Sequence, residues 1–133
     1  MPATTIRRTM FNIVADDLPV VRDFYRTLLD MEVIYEAHWY IVLVPREGPR
    51  LELGIIARAS DVTPPAAAGR PAGGGYLTLI VDEVLVAFEQ AKAMDAEILE
   101  PPTDMFYGQR RMLVRDPAGT VVDISSPLPT MTA

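Results

Sequence analysis

The 133-residue sequence contains no cysteine, one histidine (His38), one lysine (Lys92) and one tryptophan (Trp39). The absence of cysteine excludes a disulfide scaffold, a thiolate metal site and a cysteine nucleophile. One histidine is too few for a two- or three-histidine metal site within one chain. No apolar run approaches the roughly 20 residues that a membrane helix needs, so no membrane partner is expected. The opening stretch, MPATTIRRTM, lacks the apolar segment of a secretory signal, and a cytoplasmic location is expected. Positive charge is also scarce: 12 basic residues against 18 acidic ones give a net charge of −6. Nucleic acid needs a basic footprint, so it is not an expected partner. Neutral or cationic small molecules are favoured over polyanions.

What is present is ordinary for a soluble globular domain, with 50% apolar and 23% charged residues. The length suits one domain spanning residues 1–133. A Pro-, Gly- and Ala-rich stretch, SDVTPPAAAGRPAGGG at 60–75, divides it and is expected to be an irregular linker. The flanking modules, 1–59 and 76–133, are related by a constant offset of 65. DLPVVRDFYRTLLDMEVI from Asp17 matches DEVLVAFEQAKAMDAEIL from Asp82, and the offset aligns Asp30 with Asp95 and Glu32 with Glu97.

Both modules predict the same order of elements. A β-branched run, Thr9–Val14 or Tyr76–Val81, predicts a strand. The aspartates that follow, Asp17 and Asp82, suit a helix N-cap. Helices are predicted over 18–29 and 83–94. In the first, Val21, Phe24, Tyr25 and Leu28 share one face; in the second, Val84, Phe88 and Ala91 do. Three short strands follow each helix: Glu32–Tyr35, Trp39–Val44 and Arg50–Ile56, then Glu97–Leu99, Arg110–Val114 and Thr120–Ser125. Asp116-Pro117-Ala118-Gly119 supplies a turn between the last two.

Three segments, IVADDLPVVRDFYRTLLDMEV, GYLTLIVDEV and YGQRRMLVRDPAGTVVDI, resemble in order and spacing the signatures of the vicinal oxygen chelate superfamily. That superfamily holds glyoxalase I, bleomycin-resistance proteins, extradiol dioxygenases and fosfomycin-resistance enzymes. The resemblance implies an α+β fold of two tandem βαββ modules forming a curved, cup-like mixed sheet. It also implies a homodimer, with cups built within a chain or between chains. Asp30 stands where the family usually has Gly at the end of the first helix; Asp tolerates a left-handed backbone better than most residues.

In metal-using members, histidines or a glutamine on the first and fifth strands join glutamates on the fourth and eighth. The matching positions here are Met10, Glu52, Tyr76 and Asp123. Both carboxylates are kept and both imidazole positions are lost. Zinc, iron and nickel prefer nitrogen or sulfur donors, so no metal cofactor is expected. The alternative is a divalent ion held weakly by Glu52 and Asp123. The four positions are expected to converge on one pocket, where like charge would raise the pKa of at least one acid if the two come within about 6 Å. Without the resemblance, an acid in Leu51-Glu52-Leu53 is simply the solvent-facing member of an alternating strand.

Aromatic residues complete the candidate ligand-binding set. His38, Trp39 and Tyr40 open an apolar strand and offer a stacking platform, the competing reading being core or interface packing. Alternation places Trp39 and Tyr40 on opposite faces. Phe106 and Tyr107, in the loop before the seventh strand, offer a second wall or a loop anchor. Arg110 and Arg111 are expected on opposite faces, and Arg110 is placed with the ligand-binding residues.

Together these features favour metal-independent binding or sequestration of a small aromatic or cationic compound, as in the bleomycin-resistance type. The alternatives are a divalent-metal lyase, isomerase or dioxygenase, and a metal-free acid–base enzyme using Glu52 with a pKa raised by burial.

Overall fold

The computed structural model describes residues 6, 8–69 and 75–129. The chain runs β1 (Met10–Ala15), α1 (Leu18–Leu29), β2 (Met31–Glu36), β3 (Tyr40–Pro45), β4 (Glu52–Ala57), α2 (Pro65–Ala68), β5 (Leu77–Ile80), α3 (Val84–Ala93), β6 (Glu97–Asp104), β7 (Gln109–Arg115) and β8 (Val121–Pro127). The strands form two four-stranded mixed sheets, ordered β1-β4-β3-β2 and β5-β8-β7-β6. In each, the first strand pairs in parallel with the last, and the remaining pairs are antiparallel. This is the α+β, β-α-β-β-β repeat that the sequence predicts. Among the described residues no helix is long and apolar enough to cross a membrane.

Local chemistry explains the helix ends. Asp17 caps α1 by accepting from the Val20 N–H at 3.3 Å, and a proline sits in the first turn, where a missing N–H costs little. α1 ends at Asp30 with φ 49°, and the corresponding Asp95 after α3 has φ 56°. The offset-65 repeat therefore extends to the backbone: both modules turn out of their helix through a left-handed aspartate. The cap of α3 differs from the expectation. It is Glu83, not Asp82, and its side chain accepts from the Leu85 N–H at 3.0 Å.

Two further expectations are corrected. The stretch 60–75 is not wholly irregular, because Pro65–Ala68 form one helical turn. Proline at the first helical position followed by three alanines favours it. Residues 70–74 of that stretch lie outside the described residues. The sixth strand runs on to Asp104, through Pro101 and Pro102. β6 is an edge strand, where a proline need not donate to a ladder, and its register shifts between Ile98 and Glu100 and between Glu100 and Thr103.

The two modules share one apolar core. Val21, Phe24, Tyr25 and Leu28 of α1 and Val84, Ala87 and Ala91 of α3 pack with Ile13, Leu43, Leu53 and Ile55 of the first sheet and with Met112, Val114, Val122 and Ile124 of the second. These strand residues alternate along their strands, so each sheet turns one face to the helices. The other face carries Met10, Asn12, Tyr40, Val42, Glu52 and Gly54 in the first sheet, and Thr78, Arg111, Leu113, Asp123 and Ser125 in the second. Both outer faces lie off the shared core.

Candidate functional site

The outer face of the first sheet is organised around Glu52. The parallel register sets Met10 opposite Glu52. Glu52 is buried, at 2% exposure, yet its carboxylate belongs to two arginines. Arg8 grips it bidentately, Nη2 to Oε1 at 2.5 Å and Nε to Oε2. Arg50 Nη2 adds an ion pair at 3.6 Å. Hydrogen bonding from the Arg8 guanidinium holds the Glu52 carboxyl below its usual range, against the opposing effect of desolvation. A general base would need the reverse shift. This direction is opposite to the burial-raised pKa expected for Glu52 as a general base.

Beside this cluster Tyr40 lies across Gly54 and donates from its hydroxyl to Asn12 Oδ1 at 2.8 Å. A Cβ on Gly54 would fall 2.0 Å from Asn12 Oδ1 and 2.7 Å from Tyr40 Oη, so the absence of a side chain there makes room for this pair. Burial pushes the Tyr40 phenol up, which keeps it a donor. The Trp39 ring stacks on Tyr40 at 5.3 Å and 19°, and Tyr35 leans on Tyr40 at 6.3 Å. Trp39 and Tyr40 thus sit together rather than on opposite faces. The physical reason is that β3 begins at Tyr40, so strand alternation does not yet govern Trp39. His38 is exposed and lines a cleft together with Trp39, Ala59, Ser60, Asp61 and Val62.

The second sheet's outer face centres on Asp123. Thr78 lies opposite it in register and donates to Oδ2 at 3.2 Å; Ser125 donates to Oδ1 at 2.5 Å. Tyr76 precedes β5 and is 63% exposed. Arg111 stands on this face, sharing two 3.3 Å contacts with Glu100, with Tyr107 and Asp123 close enough to act on its charge. Its Nε is buried and has no partner among the described residues, and the same holds for Oε1 of Gln109. Arg110, placed with the ligand-binding residues by sequence, is on the helix side instead. It shares the parity of the core residues Met112 and Val114, pairs with Asp104 at 2.6 Å and has Glu83 nearby. Phe106 and Tyr107 pack edge to face at 5.4 Å at the loop tip, where Phe106 is 98% exposed.

The four positions matched to the family's metal ligands are split between the modules. Met10 and Glu52 belong to one sheet, and Asp123, with Tyr76 just ahead of β5, to the other. Each carboxylate takes its partners from its own module. Among the described residues no three His, Cys, Asp or Glu side chains cluster as metal ligands. Within one chain the donors do not fit a transition-metal site: a thioether, a phenol and two separated carboxylates, one saturated by guanidinium, offer no nitrogen or thiolate.

Sequence reasoning missed Arg8, Asn12, Arg50, Gly54 and Thr78, and of the pair Arg110 and Arg111 it placed only Arg110 in the site. A signal existed for most of them. Arg8, Met10 and Asn12 differ by two, as do Arg50, Glu52 and Gly54, and residues of equal parity share a face.

The comparisons with known proteins agree with this architecture. The model of the Glyoxalase/Bleomycin resistance protein/Dioxygenase superfamily matches residues 6–124. Among solved structures, a glyoxalase/bleomycin resistance protein/dioxygenase family enzyme from Burkholderia phytofirmans PsJN superposes with a TM-score of 0.76 at 21% identity, covering 90% of this chain and 97% of that one. An integron cassette protein from the mobile metagenome of V. cholerae gives 0.72 at 22% identity, covering 95% and 98%. TioX from Micromonospora sp. ML1 gives 0.70 at 18% identity, covering 95% and 100%. At these identities the likeness is one of fold. No curated protein matches the chain. With its family model matched from Ile6 to Ile124 over two repeated mixed-sheet modules, the chain belongs to the Glyoxalase/Bleomycin resistance protein/Dioxygenase superfamily.

Proposed function

We propose that this protein binds a small aromatic molecule without a metal, as a homodimer whose cups form between subunits. The observation that carries this reading is the placement of the two outer faces. Each module turns its helix face to the shared core and leaves the polar and aromatic face, with Glu52 and Tyr40 or with Asp123 and Arg111, without a covering layer among the described residues. A second copy, laying its second-module face against the first-module face of its partner, completes a concave site. That site would hold the stacked Trp39–Tyr40 pair on one side and Tyr107 on the other. Aromatic walls bury large area at low entropy cost and suit a flat ligand. The cationic ligand expected from overall charge loses its support at the first face, because Glu52 is already neutralised by Arg8 and Arg50. Sequestration is preferred to catalysis because both oxygens of Glu52, the acid–base candidate, are engaged by Arg8, which makes its carboxylate a weaker base.

The test is a Trp39 fluorescence titration against a panel of aromatic antibiotics, with recovery of the compounds and elemental analysis of the purified protein. Binding below millimolar, loss of more than about tenfold in affinity in the W39A/Y107A double variant, and unaltered compounds support the reading. Chemically altered compounds or stoichiometric nickel, zinc or iron would overturn it in favour of an enzyme.

A further inference from the structure

We infer that the first-module face is an anion-recognition site in which the Arg8 guanidinium takes the place of a metal ion on Glu52, so that the preferred ligands are aromatic carboxylates or related oxyanions. This inference rests on the binding reading above and names the ligand class of that same face.

Glu52 and Arg8 form a closed, bidentate pair, and Arg50 approaches the same carboxylate. Two guanidinium charges against one carboxylate leave this cluster with a charge of +1, inside a protein of net charge −6. The free donors are as telling as the charge. A guanidinium has five N–H bonds. Arg8 spends two on Glu52 and keeps others for the cleft, while Arg50 meets Glu52 through a 3.6 Å ion pair. Tyr40 donates a hydrogen bond to Asn12 Oδ1, and among the described residues none accepts from the Asn12 amide N–H groups on the same face. Among the described residues that line the cleft, Glu52 is the only carboxylate, and both arginines engage it. A cleft whose described lining has surplus donors and no unengaged carboxylate suits a ligand rich in acceptors, and planar guanidinium groups match a carboxylate fork in particular.

The place is a cleft of about 530 Å³ lined by Ile6, Arg8, Thr9, Ile34, Arg50 and Glu52. The arginine side chains are 63% and 67% exposed, so they can reach a ligand, whereas the Glu52 side chain, at 3%, is held beneath them. Tyr40 feels the charges of both Arg8 and Glu52, which sets the aromatic group beside the cationic one. A chelating metal would present open coordination positions to a substrate oxygen. The guanidinium presents directed N–H donors to the same kind of atom, and its charge does not titrate in the physiological range.

The experiment is calorimetric titration with three probes of one shape: 2-naphthoate, 2-naphthylmethylammonium and 2-naphthylmethanol. The naphthoate is expected to bind at least about tenfold more tightly than the other two, the effect of one charge-assisted contact. R50E changes the cluster from +1 to −1 and is expected to abolish or invert that preference. R8A, which returns it to zero, is expected to lower naphthoate affinity by about tenfold. Both positions are exposed, and circular dichroism verifies that the variants fold. Tighter binding of the ammonium or the alcohol overturns the anion assignment while leaving the binding reading standing. A naphthoate preference unchanged in R50E and R8A also overturns it, since the recognition then lies elsewhere. Silence of all three probes overturns the binding reading and this inference with it.

Discussion

Tyr25 Oη donates a 2.6 Å hydrogen bond to Asp116 Oδ2, joining α1 of the first module to the turn between β7 and β8 of the second. Both groups are buried. The other carboxylate oxygen of Asp116 accepts the N–H groups of Ala118 at 2.8 Å and Thr120 at 2.9 Å, so one side chain shapes its own turn and ties the modules together. Desolvation and the neighbouring Asp116 charge push the Tyr25 phenol up, which keeps its proton on the donor side. Y25F removes the donor and leaves a buried carboxylate oxygen without it. The expected loss is about 2 kcal/mol of unfolding free energy, within the range for hydrogen bonds to charged groups. Urea denaturation monitored by circular dichroism measures it; a midpoint within error of the wild type would show that the tie carries no stability.

At Gly54 even a methyl group is too large. G54A would drive its Cβ into Asn12 Oδ1 and the Tyr40 ring. The expected result is a broken Tyr40–Asn12 hydrogen bond and a destabilisation of about 1–3 kcal/mol, typical of overpacking. Because Trp39 stacks on Tyr40, its fluorescence and near-ultraviolet dichroism should change as well. A variant with unchanged melting temperature and unchanged Trp39 signal would contradict this account.

The lowered pKa of Glu52 predicts a definite pH window. Its stabilising contribution is present above the unfolded-state value, about 4.3 for glutamate, and is lost as pH falls through the lower folded value. Asp23 and Asp104, lowered by hydrogen bonds from Arg22 and Arg110, act in the same sense. Wild-type stability should therefore fall with acid more steeply than that of E52Q, and the two should run parallel above roughly pH 5. Melting temperatures from neutral pH downward test this, and a steeper acid loss in E52Q would reverse the assignment.

Cups built between subunits predict complementation. W39A and Y107A damage opposite walls, and each homodimer should bind an aromatic ligand more weakly than wild type. In a mixed dimer one cup carries both lesions and the other carries neither. Refolding the two variants together should restore wild-type affinity at a fraction of the sites. Cups contained within one chain would give no restoration, and a monomer mass by light scattering at micromolar concentration would remove the dimer altogether.

The sequence by itself determined the elements and their repetition. The 3.6-residue spacing of Val21, Phe24, Tyr25 and Leu28 sets the buried face of α1, and the offset of 65 places left-handed turns at Asp30 and Asp95. These are local properties of backbone and side chain, legible wherever a period or a cap recurs. Alternation was equally legible where a strand was regular, but it misled at Trp39, which precedes β3, and β6 ran past its predicted end because its free edge tolerates Pro101 and Pro102. Only the tertiary structure decided what the acids do. Glu52 and Asp123 looked alike as inward carboxylates. Which donors reach them depends on residues brought alongside by packing: the Arg8 guanidinium, 44 positions away from Glu52, and the Thr78 hydroxyl, 45 positions away from Asp123. Charge interactions depend on distance in space, and the parity of a strand gives a residue's face but not its neighbour. That is why the sequence pointed to acids awaiting a cation, while the fold presents one of them already neutralised by arginine.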